Sequence, residues 1–163
     1  MLESVGPLTS KVADTTGNLQ KALSRVLRKN SAKRIYAAAE DAVIDRRHGF
    51  GKISEAASRV LVARNLAPAQ GGWMWKTDVR LRWPSFIRFT EEQVTDYLTS
   101  LTLPLLLIAA DDGYISLDPN KNPRLAYLNN AQIERAEGGH HFHMDGETDK
   151  IASSITQFLY SAS

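Results

Sequence analysis

The sequence predicts an α/β fold in which a long helical stretch precedes the last strands, and three observations carry that prediction. The run Leu103-Pro104-Leu105-Leu106-Leu107-Ile108-Ala109-Ala110 is continuously apolar and is closed by Asp111-Asp112-Gly113, as a parallel strand buried on both faces requires. Ala131-Gln132-Ile133-Glu134-Arg135-Ala136 then alternates apolar and polar residues, the pattern of a half-buried strand. Finally Ile151, Ile155, Phe158 and Leu159 recur at helical spacing.

Taken in order, Gly6-Pro7 marks a turn after a short opening segment. Leu19, Leu23, Val26 and Leu27 give a first helix, with Thr15 or Thr16 near its start. A second helix is expected from Ser31 as N-cap through Tyr36, Ala39, Val43 and Ile44, broken at His48-Gly49-Phe50-Gly51. Ser54 caps a third helix, packed through Ala57, Val60, Leu61 and Ala63 and ending near Leu66 before Pro68. Gly71-Gly72 opens a short strand or extended segment at Trp73–Thr77, and residues 80–89 form a loop rich in Arg and aromatics. Thr90-Glu91-Glu92-Gln93 reads as a capping box for a helix with Val94, Tyr97, Leu98 and Leu101 on its packing face. After the buried strand, residues 118–130 hold a loop and a short helix, and a terminal helix begins near Asp145. Two buried strands cannot form a stable sheet without neighbours, and the first hundred residues offer almost none. The sheet is therefore expected to be completed by another chain or by a missing N-terminal half, with self-association of this chain as the alternative.

With 163 residues, 43% hydrophobic and 23% charged, the chain suits one soluble globular domain or the larger part of one. The net charge of +2 is unevenly spread. Residues 1–102 hold 16 Lys and Arg against 10 Asp and Glu, and residues 103–163 hold 4 against 8. The basic stretch at Arg25–Arg34, which includes Arg28, Lys29, Lys33 and Arg34, reads as the solvated face of helices, so no nucleic-acid partner is assigned. There is no cysteine, which excludes disulfides and thiol chemistry. The longest apolar run is about half a membrane span and contains a proline, and no secretion signal opens the chain. A cytoplasmic location without membrane association is the default.

Three of the four histidines lie in Gly138-Gly139-His140-His141-Phe142-His143-Met144-Asp145, between the alternating strand and the terminal helix. In an open α/β sheet, the C-terminal ends of the strands are where ligands and chemistry gather. His140, His141, His143 and Asp145 are of the types that bind zinc, but they sit on a turn with no cysteine and no His-Glu-x-x-His helix. No metal or other cofactor is assigned. A single catalytic histidine, able to accept and return a proton near neutral pH, is the preferred reading, and ordinary surface or core histidines are the alternative.

Gly139-His140-His141-Phe142-His143-Met144-Asp145, Thr90-Glu91-Glu92-Gln93-Val94 and Glu3-Ser4-Val5-Gly6-Pro7-Leu8 together give the chain a resemblance to the C-terminal portion of α/β-hydrolase-fold enzymes. The nearer likeness is to the serine hydrolase-like proteins, haloalkane dehalogenases and epoxide hydrolases. The resemblance covers essentially the whole chain. It implies the end of a core strand and a loop at residues 1–9, a helical cap at 10–100, and a C-terminal α/β core segment at 101–163. It makes His140 the catalytic base, with His143 and Asp145 bracing its turn. The acid that orients the base is Glu3 or Asp112; the family's acid at the second place falls one position later, at Gly113, so Glu3 is favoured. Asp111 and Asp112 also read simply as the turn that ends a strand. Trp73, Trp75, Trp83 and Phe86, with Phe89, would line a pocket for a hydrophobic, ester-like small molecule, or else form the core of the cap.

The departures from the family pattern weigh as much. No Gly-x-Ser-x-Gly or its Asp equivalent is present, so the nucleophile is missing, and no oxyanion loop is found. Without a nucleophile and oxyanion donors, a base and its acid cannot carry out acyl transfer. The expectation is a hydrolase that is truncated at its N-terminus and inactive as an isolated chain. The rival is a non-catalytic binding or interaction protein that keeps the cap and the histidine turn. A flavodoxin-like nucleotide binder is disfavoured, because no Gly-rich phosphate loop follows a strand.

Overall fold

Residues 1–28 and 33–161 are described by the computed structural model, and they form two units. The middle unit comprises Leu8–Phe50 and Ser54–Thr90; the parallel-sheet unit comprises Met1–Pro7, Gly51–Ile53 and Glu91–Ser163.

In the middle unit, helix α1 (Thr15–Leu27) buries Ala22, while Leu19, Leu23 and Val26 stay more than a third exposed. The expected second helix is corrected. Its proposed cap, Ser31, lies outside the described residues, as does Lys29, and Ile35–Tyr36 is a short strand, β1. Helix α2 starts only at Ala39 and runs to Arg47, with the Asp41 carboxylate accepting the Ala38 N–H at 3.0 Å. Tertiary pairing overrides local propensity here, because Ile35 and Tyr36 lie opposite Met74 and Trp73. Helix α3 (Glu55–Asn65) is capped by the Ser54 hydroxyl, which accepts the Ala57 N–H at 3.1 Å. Strands β2 (Leu66–Ala69) and β3 (Gly72–Trp75) complete an antiparallel sheet of order β1-β3-β2. Pro68, which lacks an N–H, sits on the edge strand, where a missing donor does least harm. The first hundred residues thus hold a small sheet of their own. Its core joins Tyr36, Ala42, Val43, Val62 and Leu66, with Trp75 packed against them.

In the parallel-sheet unit, helix α4 (Glu91–Thr99) packs Val94 and Leu98 with Val5, Leu107 and Leu128. It therefore belongs with the strands rather than with the preceding helices. Strand β4 (Leu105–Asp112) runs parallel to β5 (Ala131–Gly139), with Leu105 opposite Ala131 and Asp112 opposite Gly139. Leu106, Ile108 and Ala110 face one core with Phe142 and Ile151, and Leu107 faces the other. That two-sided burial is what the unbroken apolar run encodes. Leu2 bridges Ile108 in parallel on the remaining edge of β4. The half-burial expected of β5 holds only in part. Ala136 is buried, but Ile133, which points to the opposite face of the strand, is 46% exposed. Helix α5 (Thr148–Ser161) buries Ile151 and packs Ile155 and Phe158 against the first core. No described helix is long and apolar enough to cross a membrane.

Candidate functional site

The ends of β4 and β5 bring Glu3, Asp112 and His140 to one edge of the parallel sheet. Glu3 arrives there because the main chain of Met1–Glu3 follows β4: the Glu3 N–H donates to the Ile108 carbonyl at 2.9 Å, and the Ile108 N–H donates to the Met1 carbonyl at 3.0 Å. The Glu3 backbone is left-handed, at φ 47°, which is unusual for a side-chain-bearing residue. Its side chain is 5% exposed and turns inward to close the strand end. One carboxylate oxygen, Oε2, accepts the Ala110 N–H at 2.7 Å. The other, Oε1, accepts the Tyr114 and Ile115 N–H groups at 2.5 and 3.0 Å. Gly113 makes this possible, since a Cβ there would stand 2.0 Å from Oε1. The three amides replace the solvation that burial takes from the carboxylate.

The histidine turn starts where Gly138 takes φ +95°, a conformation that costs an L-side chain energy but glycine little. The Phe142 N–H then donates to the Gly139 carbonyl and the Met144 N–H to the His141 carbonyl, each at 2.9 Å. Phe142, only 2% exposed, plugs into the core beneath and anchors the turn. His140 is thereby half-buried beside Tyr114, with ring centroids 4.4 Å apart, and beside His141 at 4.8 Å. His140 Nδ1 is buried and has no hydrogen-bond partner among the described residues. The expected Glu3–His140 hydrogen bond is therefore not made; both oxygens of Glu3 are engaged by amides instead. Nor does Asp112 bond the imidazole. It is exposed, although its register opposite Gly139 sets its main chain beside the residue preceding His140. Asp111 is also exposed and faces Arg135 at 3.4 Å. His143 is exposed, and its ring lies 5.8 Å from those of His141 and Phe142. The described residues contain no group of three or more His, Cys, Asp or Glu arranged to hold a metal ion.

Two participants escaped the sequence reading. Tyr114 touches both Glu3, through its amide, and His140, through its ring. Its only sequence signal is its position just after the acid pair that ends β4. Gly51 lies so close to His141 that a Cβ would sit 2.5 Å from Nε2, a long-range approach with no local signature.

The four aromatics expected to share a pocket all lie in the middle unit. Trp75 lines a cavity in the middle unit and donates its indole N–H to the Tyr36 hydroxyl at 3.3 Å. Trp73 lies in β3 opposite Tyr36 and Pro68 and is 36% exposed, and Phe86 is 43% exposed. Trp83 is half-buried with its indole N–H unpaired among the described residues.

No known family model and no curated protein sequence matches the chain. Solved structures do. A hypothetical protein from Pseudomonas aeruginosa PAO1 is 30% identical at a TM-score of 0.85, over 99% of this chain and 57% of that one. The thioesterase domain from the curacin biosynthetic pathway is 21% identical at a TM-score of 0.73, over 98% of this chain and 56% of that one. An esterase from M. tuberculosis is 13% identical at a TM-score of 0.60, over 89% and 49% respectively. The chain thus spans about half the length of the solved proteins it matches.

Proposed function

On the premise that the chain carries part of the α/β-hydrolase fold, which the structures it matches share, we propose that it is the base-bearing portion of a hydrolase acting on ester-like bonds of small hydrophobic molecules in the cytoplasm. The observation that carries this reading is His140, held at the C-terminal end of β5 with a buried, unpaired ring nitrogen. That nitrogen is where an orienting carboxylate belongs, leaving the other free to take a proton from a nucleophile and return it to the leaving group. Glu3 is the proposed acid. It is buried, and Oε2 carries a single amide bond, so it retains acceptor capacity. Asp112 is the second candidate, favoured by its register opposite Gly139. The 163 residues contain no Gly-x-Ser-x-Gly turn, and on this reading the nucleophile comes from the part of the fold that this chain does not span. A second reading, a binding protein without catalysis, is favoured by the absence of any carboxylate–His140 hydrogen bond among the described residues.

The test uses p-nitrophenyl butyrate. The isolated 163 residues should show no saturable turnover. The whole polypeptide that contains these residues, purified from its own cells, should turn over saturably. Absence of turnover from that second preparation would favour the binding protein, and saturable turnover by the isolated chain would refute the missing nucleophile.

A further inference from the structure

The middle unit encloses a cavity of about 660 Å³, within the range of small-molecule sites, and its wall is not that of a purely apolar pocket. Lys33, Arg34, Arg46 and Arg82 line it, with a single acid, Asp45, beside the rings of Tyr36 and Trp75. The acid is already spent. Oδ1 of Asp45 accepts from Arg34 at 2.8 Å, and Oδ2 accepts from the Tyr36 hydroxyl at 2.7 Å. The Arg34 guanidinium also lies over the Tyr36 ring, 4.8 Å from its centroid.

Neither Lys33 nor Arg82 is neutralised in this way. Lys33 Nζ donates to the Trp75 and Lys76 carbonyls at 2.9 and 3.1 Å, which fixes its position while leaving its charge uncompensated. Asp78, a further acid that feels the charge of Lys33, is held by Arg80 through both oxygens. Arg82 is exposed and has no carboxylate partner among the described residues. The wall therefore combines excess positive charge with an indole face, and Arg and Lys around an aromatic surface suit an anion attached to a flat or apolar body.

We infer that this cavity binds a small organic anion, its phosphate, sulfate or carboxylate group on Lys33 and Arg82 and its aromatic or acyl body against Trp75. None of His140, Glu3 and Asp112 lines it, so its failure and that of the hydrolase reading are separable.

The probe is phenyl phosphate, titrated calorimetrically into the full chain, with phenol as the uncharged control. Binding should be saturable, about ten-fold or more tighter than that of phenol, and weakened by added salt. Arg82→Gln should weaken it by roughly five-fold or more, while Arg88→Gln, an exposed site outside the cavity, should change it by less than about two-fold. Near-UV circular dichroism confirms that each variant is folded; Arg82 makes no bond that the fold needs. Equal affinity for phenol would overturn the inference, as would indifference to Arg82→Gln. Equal weakening by Arg88→Gln, or tighter binding of a short DNA oligonucleotide, would also overturn it, by showing a diffuse basic surface in place of a site.

Discussion

Glu3 terminates β4 with a side chain, where a neighbouring strand would usually supply the partner. Its three amide donors come from residues more than a hundred positions away in sequence. Removing the carboxylate strands those amides in a buried site, so Glu3→Ala should cost about 2–4 kcal/mol in urea denaturation. Gly113→Ala should cost a similar amount, because its methyl group would meet Oε1 at 2.0 Å. The double variant should lose clearly less than the sum, since without Glu3 the methyl group has nothing to strike. Strict additivity would show that the two residues are not coupled. At this scale the sequence was informative about residue type but silent on partners. Glu3 and His140 stood out through their resemblance to family positions. The amide cage of Glu3 and the Tyr114 ring on His140 depend on long-range closure, which no local pattern records.

Among the elements, those with a full period were legible and those built by pairing were not. The apolar run of β4, the spacing of α5 and the Ser54 cap of α3 are local signals, and each appears where its chemistry puts it. A two-residue strand has no period to read. β1 exists because Ile35 and Tyr36 pair with β3, and because the Tyr36 hydroxyl reaches Asp45. Burial, and then the bond to Asp45, raise the Tyr36 pKa above its ordinary 10.0. The folded state thus keeps a proton that the unfolded chain releases. This contribution to stability is full below pH 10.0 and is lost as pH rises through the raised value. Denaturation measured between neutral and strongly alkaline pH should show that decline, and Tyr36→Phe should lack this part of it. A decline identical in the variant would assign it to other groups.

For the molecule as a whole, the parallel pair of β4 and β5 was legible, because an unbroken apolar run marks a strand covered on both faces. The boundary between the units was less legible. Gly51–Ile53 leaves the middle unit to join the parallel-sheet unit, and Gly51 lies against His141, an excursion that hydropathy does not mark. If one histidine of the three in the turn is the base, kcat/KM for p-nitrophenyl butyrate identifies it. The measurement is made on the polypeptide from its own cells, with His140, His141 and His143 each replaced by Ala. His140→Ala should lose on the order of 10³-fold or more, and each of the other two less than about ten-fold. Comparable losses for all three, or an unchanged kcat/KM in His140→Ala, would contradict it.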